Sequence, residues 1–420
     1  MSNKKSFVNH IKLVFFAILL GAVTGTVIWA FLRSVGIGTN LLWERLPEKF
    51  DVRGYGIVVC TVGGLIIGIF RKAFGDYPEE LPVVMGKVKK DGHYDYSNML
   101  VMLISAFLPL IFAASVGPEA GLTGVIVGLC YWVGDNIKYA KEHEREYSEV
   151  GEAVTLGVLF GAPLFGIFAV EEEGGAHSDF VMPKPAKLVL YSAAIAGGLI
   201  ANGLLSRFFG QAMGGFPAFA DVSMQTGDYV AMALYIVCGI LLAGVFELCE
   251  KFAEKIAKTV PKVICETLCG LILGIVITCV PMVSFSGEEQ MGGLIEEYTA
   301  YVPIVLIGVS LLKVLITTWC IRLGMKGGHF FPLIFACVCM GFGVGMLIFG
   351  YDLGHLVYAA GIVTAACLGV QMKKPFAVAL LCLLCFPFKM IFFLFLAAAI
   401  GAWVTKDGKE HAGSGEGDGG

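Results

Sequence analysis

"MKGGHFFPLIFACVCMG", residues 325–341, is an apolar run that opens on the pair Gly327-Gly328 and carries Pro332 close behind. Glycine allows close backbone approach, and a proline in the first helical turn gives up an N–H that would be unpaired there anyway. The pattern therefore predicts a helix that starts inside an apolar segment and not at its edge. Such a start makes a physical demand. The first four N–H groups of a helix lack intrahelical partners, and the dipole adds roughly half a positive charge at that end. In lipid this is tolerated only where the end lines a cavity or pore, and the natural partner is an anion.

The rest of the chain supplies the lipid. Of 420 residues, 57% are hydrophobic and only 15% charged, with a mean hydropathy of +0.79. That exceeds what a soluble core needs and indicates an all-α polytopic membrane protein. Long apolar stretches such as 11–32, 55–70 and 229–246 carry charges only at their edges, and 99–134 and 375–402 hold one each inside, Glu119 and Lys389. At about 20 residues per crossing, they allow about ten to fourteen spanning or half-spanning helices. Lys4, Lys5 and Lys12 precede or open the first span and place the N-terminus in the cytoplasm. That span has no small-residue cleavage site and reads as a membrane helix, not a signal peptide. Thirteen cysteines lie mostly in apolar segments without metal-ligand spacing, as free packing residues. The net charge of -4 resides in loops such as "KYAKEHEREYSEV" (138–150), with no basic stripe for nucleic acid. The ending 404–420 reads as a disordered polar tail. The seven histidines are scattered, with no H-E-x-x-H or G-x-S-x-G arrangement, so an enzyme is not expected.

The opening pattern recurs. "SVGPEAGLTGVIVG" and "GGHFFPLIFACVCMG" both place Gly and Pro ahead of an apolar helix, with Pro118 and Pro332 offset by 214. "GAPLFGIFAVEEE" and "KKPFAVALLCLLCF" follow, with Pro163 and Pro375 offset by 212, and Glu79 and Glu288 upstream are offset by 209. The domain 1–403 thus reads as two pseudo-repeats, about 10–210 and 227–403. Interrupted segments at matching places in two halves point to a binding site at the bilayer midplane.

These residues resemble the CLC family of chloride channels and proton-coupled chloride antiporters. "GHFFP" (328–332) is similar to the family's G-x-F-x-P motif, and "GAPLFGIFAVEEE" to its N-A-P-L-A-G helix with paired glutamates. "ASVGP" (114–118) aligns with G-[RK]-E-G-P, keeping only the Gly-Pro. The resemblance covers most of the chain. It implies an inverted repeat of tilted and half-spanning helices, of prokaryotic type without a cytoplasmic regulatory domain. It further implies a homodimer with one anion path per subunit, no cofactor, and chloride as substrate. By position, the backbone N–H groups of Ser115, Val116, Gly117, Phe330 and Phe331 would form an outer anion site, with Gly328 allowing the approach. Those of His329 and Phe330 would face a central one. Backbone donors suit conduction because they hold a halide without a full charge that would trap it.

The departures matter equally. The family's gating glutamate aligns with Val116, which cannot titrate, while Glu119 lies three positions on. Glu119 either replaces the gate or merely complements a helix N-terminus. Glu173 takes the place of the inner proton-transfer acid, or belongs with Glu171 and Glu172 to a solvated helix end. The serine of the family's G-S-G-I-P motif falls at Gly75 in "FGDYP". Lys389 takes the place of the pore-facing tyrosine, where it would attract anions or snorkel to the surface. The expectation is a passive chloride channel in the bacterial plasma membrane, with both termini cytoplasmic. A proton-coupled antiporter using Glu119 and Glu173, or an unrelated organic-anion transporter, are the alternatives.

Overall fold

Apolar segments in lipid must satisfy their own backbone N–H and C=O groups, and this chain does so with helices. The computed structural model describes residues 2–413 except 50–53, 80–82, 85–86, 88–92, 137–143, 175–183, 213–214 and 220. Helices α1 (Ser2–Asn40), α2 (Tyr55–Phe74), α3 (Met99–Ile111), α4 (Glu119–Asn136), α5 (Glu144–Leu159), α6 (Pro163–Gly174) and α7 (Lys184–Phe209) come first. They are followed by α8 (Thr226–Thr259), α9 (Lys262–Cys279), α10 (Glu288–Glu297), α11 (Pro303–Leu323), α12 (Phe330–Phe349), α13 (Leu353–Met372), α14 (Pro375–Cys382) and α15 (Ile391–Gly413). Among the described residues nine helices are long and apolar enough to cross a membrane, and α3 and α4 are shorter apolar helices. The chain is an all-α polytopic membrane protein, as its composition predicts.

The chain divides into two compact units. One comprises Met1–Gly215, Ile256–Phe285 and Cys320–His329, and the other Phe216–Lys255, Ser286–Trp319 and Phe330–Gly420. Two pieces of the expected second pseudo-repeat therefore join the first unit, so the units are not simply the halves 10–210 and 227–403.

Within the first unit α1 packs on α7 and α2 on α9. Both pairs meet through glycine: a Cβ on Gly21 of α1 would overlap the carbonyl of Ala194, and one on Gly64 of α2 the carbonyl of Glu266. Small residues let membrane helices approach this closely, where lipid supplies no hydrophobic drive to association. In the second unit α12 and α13 pack together, α13 against α15, and α10 against α12. Helices α12 and α13 are buried over most of their length, which explains why they are apolar all round.

Two expectations are corrected. The charged stretch 138–150 is not wholly a loop, since α5 starts at Glu144. The polar tail is helical as far as Gly413. The Lys4 and Lys5 side chains and the tail beyond Gly413 lie outside the described residues. All thirteen cysteines are free, and ten of them are buried.

Candidate functional site

The first glycine-proline start is built by a sharp exit from α3. Pro109 sits within that helix, and Ala113 then adopts a left-handed φ of 59°. For a residue with a Cβ this costs on the order of 1 kcal/mol. The turn is held by Ala114 N–H donating to the Pro109 carbonyl at 3.0 Å, and by Phe285 N–H donating to the Ala113 carbonyl at 3.3 Å. The chain then bends at Ser115, reaches Gly117 and enters α4 at Glu119. Leu122 N–H reaches the Pro118 carbonyl at 3.2 Å, so Pro118 caps the helix and Glu119 is its first residue.

The loop glycines that precede the second start lie, in the same unit, against Gly117. Gly117 and Gly328 form an isolated antiparallel bridge. Gly117 N–H donates to the Gly328 carbonyl at 2.8 Å, and Gly328 N–H to the Gly117 carbonyl at 2.7 Å. Two residues after Gly117 comes α4, and two after Gly328 comes α12. The backbones come this close because neither glycine carries a Cβ: one on Gly327 would overlap the Val116 side chain, and one on Gly117 or Gly328 would overlap the Glu119 carboxylate. Glu119 is 4% exposed. Its carboxylate therefore lies over both bridge glycines, at the positive end of α4.

This arrangement engages three of the amides around the expected sites. The N–H of Val116 donates to the Ala114 carbonyl at 2.8 Å, and those of Gly117 and Gly328 are used by the bridge. These three amides are not available to an anion in this conformation. The Val116 side chain is fully buried beside Gly327. Valine thus fills a packing position, and the acid at the bridge is Glu119. Ser115 is buried, His329 is partly buried at the end of the loop, and Phe330 opens α12. Phe331 is buried and stacks on Phe216 with centroids 5.1 Å apart.

Lys389 stands at the surface of the chain. Its side chain is 66% exposed, with Nζ 3.2 Å from the still more open Asp221. The surface pairing accords with the snorkelling alternative, because an exposed ammonium keeps its hydration. Glu172 lies near the end of α6 and is partly buried. The side chain of Glu173, the next residue, lies outside the described residues.

Sequence reasoning missed a charged cluster. Arg71 at the end of α2 binds both Glu266 of α9 and Asp76, and Lys326 Nζ lies 3.1 Å from Asp76. No local signal announces it, because Arg71 and Glu266 are 195 residues apart. In "FGDYP" the acid of the cluster, Asp76, directly follows Gly75, the position that lacks the motif serine.

Fold and site together define an integral membrane protein whose helix starts, led by glycines, are joined by a backbone bridge with a carboxylate above it. The chain belongs to the voltage gated chloride channel family, whose profile matches residues 63–406. It is 21% identical over 338 residues to YfeO of Escherichia coli O17:K52:H18, provisionally named an ion-transport protein, covering 77% of each chain. Its fold is similar to that of a CLC-type fluoride/proton antiporter, with a TM-score of 0.73 and 17% identity over 94% of this chain and 96% of that one. A slow cyanobacterial Cl-/H+ antiporter gives a TM-score of 0.74 and 18% identity over 93% and 94%. A eukaryotic CLC transporter gives 0.70 and 16% over 95% and 72%.

Proposed function

We propose that this protein exchanges chloride for protons across the bacterial plasma membrane, as a homodimer with both termini cytoplasmic. The observation that supports exchange over a passive channel is the seat of Glu119. A carboxylate held over the Gly117–Gly328 bridge at a helix N-terminus stands where an anion would be stabilised. It has the charge of the transported ion and, unlike chloride, it can take up a proton. Protonation removes its attraction to the helix end, so proton binding and anion binding compete for one place. Val116 left that place without a titratable group in the sequence alignment, and Glu119 supplies one from three positions on. Glu173 is the acid that the family resemblance assigns to the inner end of the proton route. Membership in a chloride channel family, and the Cl-/H+ and fluoride/proton exchange named for proteins of similar fold, support an anion substrate.

The test is chloride efflux from liposomes holding the purified protein, with external pH recorded at the same time. Exchange predicts uphill proton movement driven by a chloride gradient, and its loss in Glu119→Gln while chloride still moves. Chloride efflux with no proton movement in the native protein would establish a channel instead.

A further inference from the structure

The Arg71 cluster has the composition of an anion site with its occupant attached. Arg71 is buried, with a side chain 8% exposed, and its guanidinium presents one nitrogen to each of two acids. The two acids differ sharply. Glu266 is 1% exposed and fixed within α9, and so anchors the guanidinium from behind. Asp76 is 49% exposed and sits in the segment after α2, with no helix to hold it. Lys326 approaches Asp76 from a third direction, Nζ lying 3.1 Å from its carboxylate and 3.5 Å from its backbone carbonyl. Two cations from separate segments thus converge on one half-exposed carboxylate.

The cluster also lies on the path of the loop that carries the bridge. Gly324, at φ 113°, passes so near that an added Cβ would overlap both Arg71 and Glu266. Lys326 is two residues before Gly328. If Asp76 swings out, Glu266 still balances and positions the guanidinium. The Arg71 nitrogen and the Lys326 ammonium then face open space with a net positive charge, which a small monovalent anion would satisfy.

We propose that Arg71 and Lys326 form a second site for a small monovalent anion, separate from the Gly117–Gly328 bridge, which the Asp76 carboxylate occupies when no anion is bound. This rests on the anion-transport reading. The competing explanation is a fixed ion-pair network that only anchors loop 324–328.

Crystals of the full-length protein soaked in bromide distinguish the two by anomalous scattering. Asp76→Ala, or Asp76→Asn should the alanine variant fold poorly, is expected to show a bromide between Arg71 and Lys326. Asp76→Ala combined with Lys326→Met should lose it. In liposomes Asp76→Ala should also lower the half-saturating chloride concentration several-fold. If neither Asp76 variant holds bromide there, while Glu119→Gln binds halide near Gly328, the second site is refuted and the transport reading stands. If no variant binds halide and the native protein moves no chloride, both fall together.

Discussion

Gly117 and Gly328, 211 residues apart, exchange both hydrogen bonds of an antiparallel pair, at 2.8 and 2.7 Å, with the Glu119 carboxylate lying across them. A methyl group on Gly328 would occupy the carboxylate's place. Gly328→Ala should therefore unseat Glu119 and reproduce Glu119→Gln: chloride flux with proton coupling lost. Simultaneous chloride and pH recording checks this, and full coupling in Gly328→Ala would show that the seat is not required.

The contact between α2 and α9 depends on glycine. Gly64 and Gly270 each face a backbone carbonyl of the other helix, whereas a Cβ on Gly244 of α8 would meet nothing within 4 Å. Gly64→Leu or Gly270→Leu should destabilise the protein by at least about 1–3 kcal/mol, the usual range for overpacking. Gly244→Leu should have little effect. Thermal unfolding in detergent, run on all three, separates a tight interface from a general intolerance of larger residues.

Asp76 gives a prediction in acid. Burial alone would raise its pKa, but the hydrogen bond from Arg71 and the charges of Lys326 and Arg71 outweigh it and hold the carboxyl at about 2, against an ordinary 3.8. Since the folded value is the lower one, its stabilising contribution is complete above the ordinary value. It is lost as pH falls from about 4 through about 2. The native protein should therefore lose more thermal stability across that window than Asp76→Asn. Equal losses would mean that the ion pairs contribute nothing to stability.

Asp228, fully buried at the start of α8, accepts from His355 Nδ1 at 2.7 Å and from Gln225 N–H at 2.8 Å. His355 in turn stacks on Phe349 with centroids 4.4 Å apart. Asp228→Ala leaves these two donors, and the Ser223 hydroxyl at 3.4 Å, without their acceptor and should cost about 1–3 kcal/mol. His355→Phe keeps the stack and should cost less. Unfolding curves for the two variants in the same detergent test that order.

Length, composition and the Gly-Pro punctuation of apolar runs were sufficient for the membrane class, for helices starting near Gly117-Pro118 and behind Gly327-Gly328, and for the family resemblance. These are local or summed properties: a helix start depends on a few consecutive residues, and the choice of lipid over water on total apolar surface. The tertiary structure alone decided which amides remain available to a ligand. Ala114, Gly117 and Gly328 accept bonds from Val116, Gly328 and Gly117, and only the last two partners being brought together shows that the bridge spends those donors. It also placed Glu119 over the bridge, where a motif register had put Val116. The cluster of Arg71, Asp76, Glu266 and Lys326 likewise exists only after folding. Each member taken alone is a charge at the edge of an apolar run, and what they do follows from distances that sequence separation does not encode.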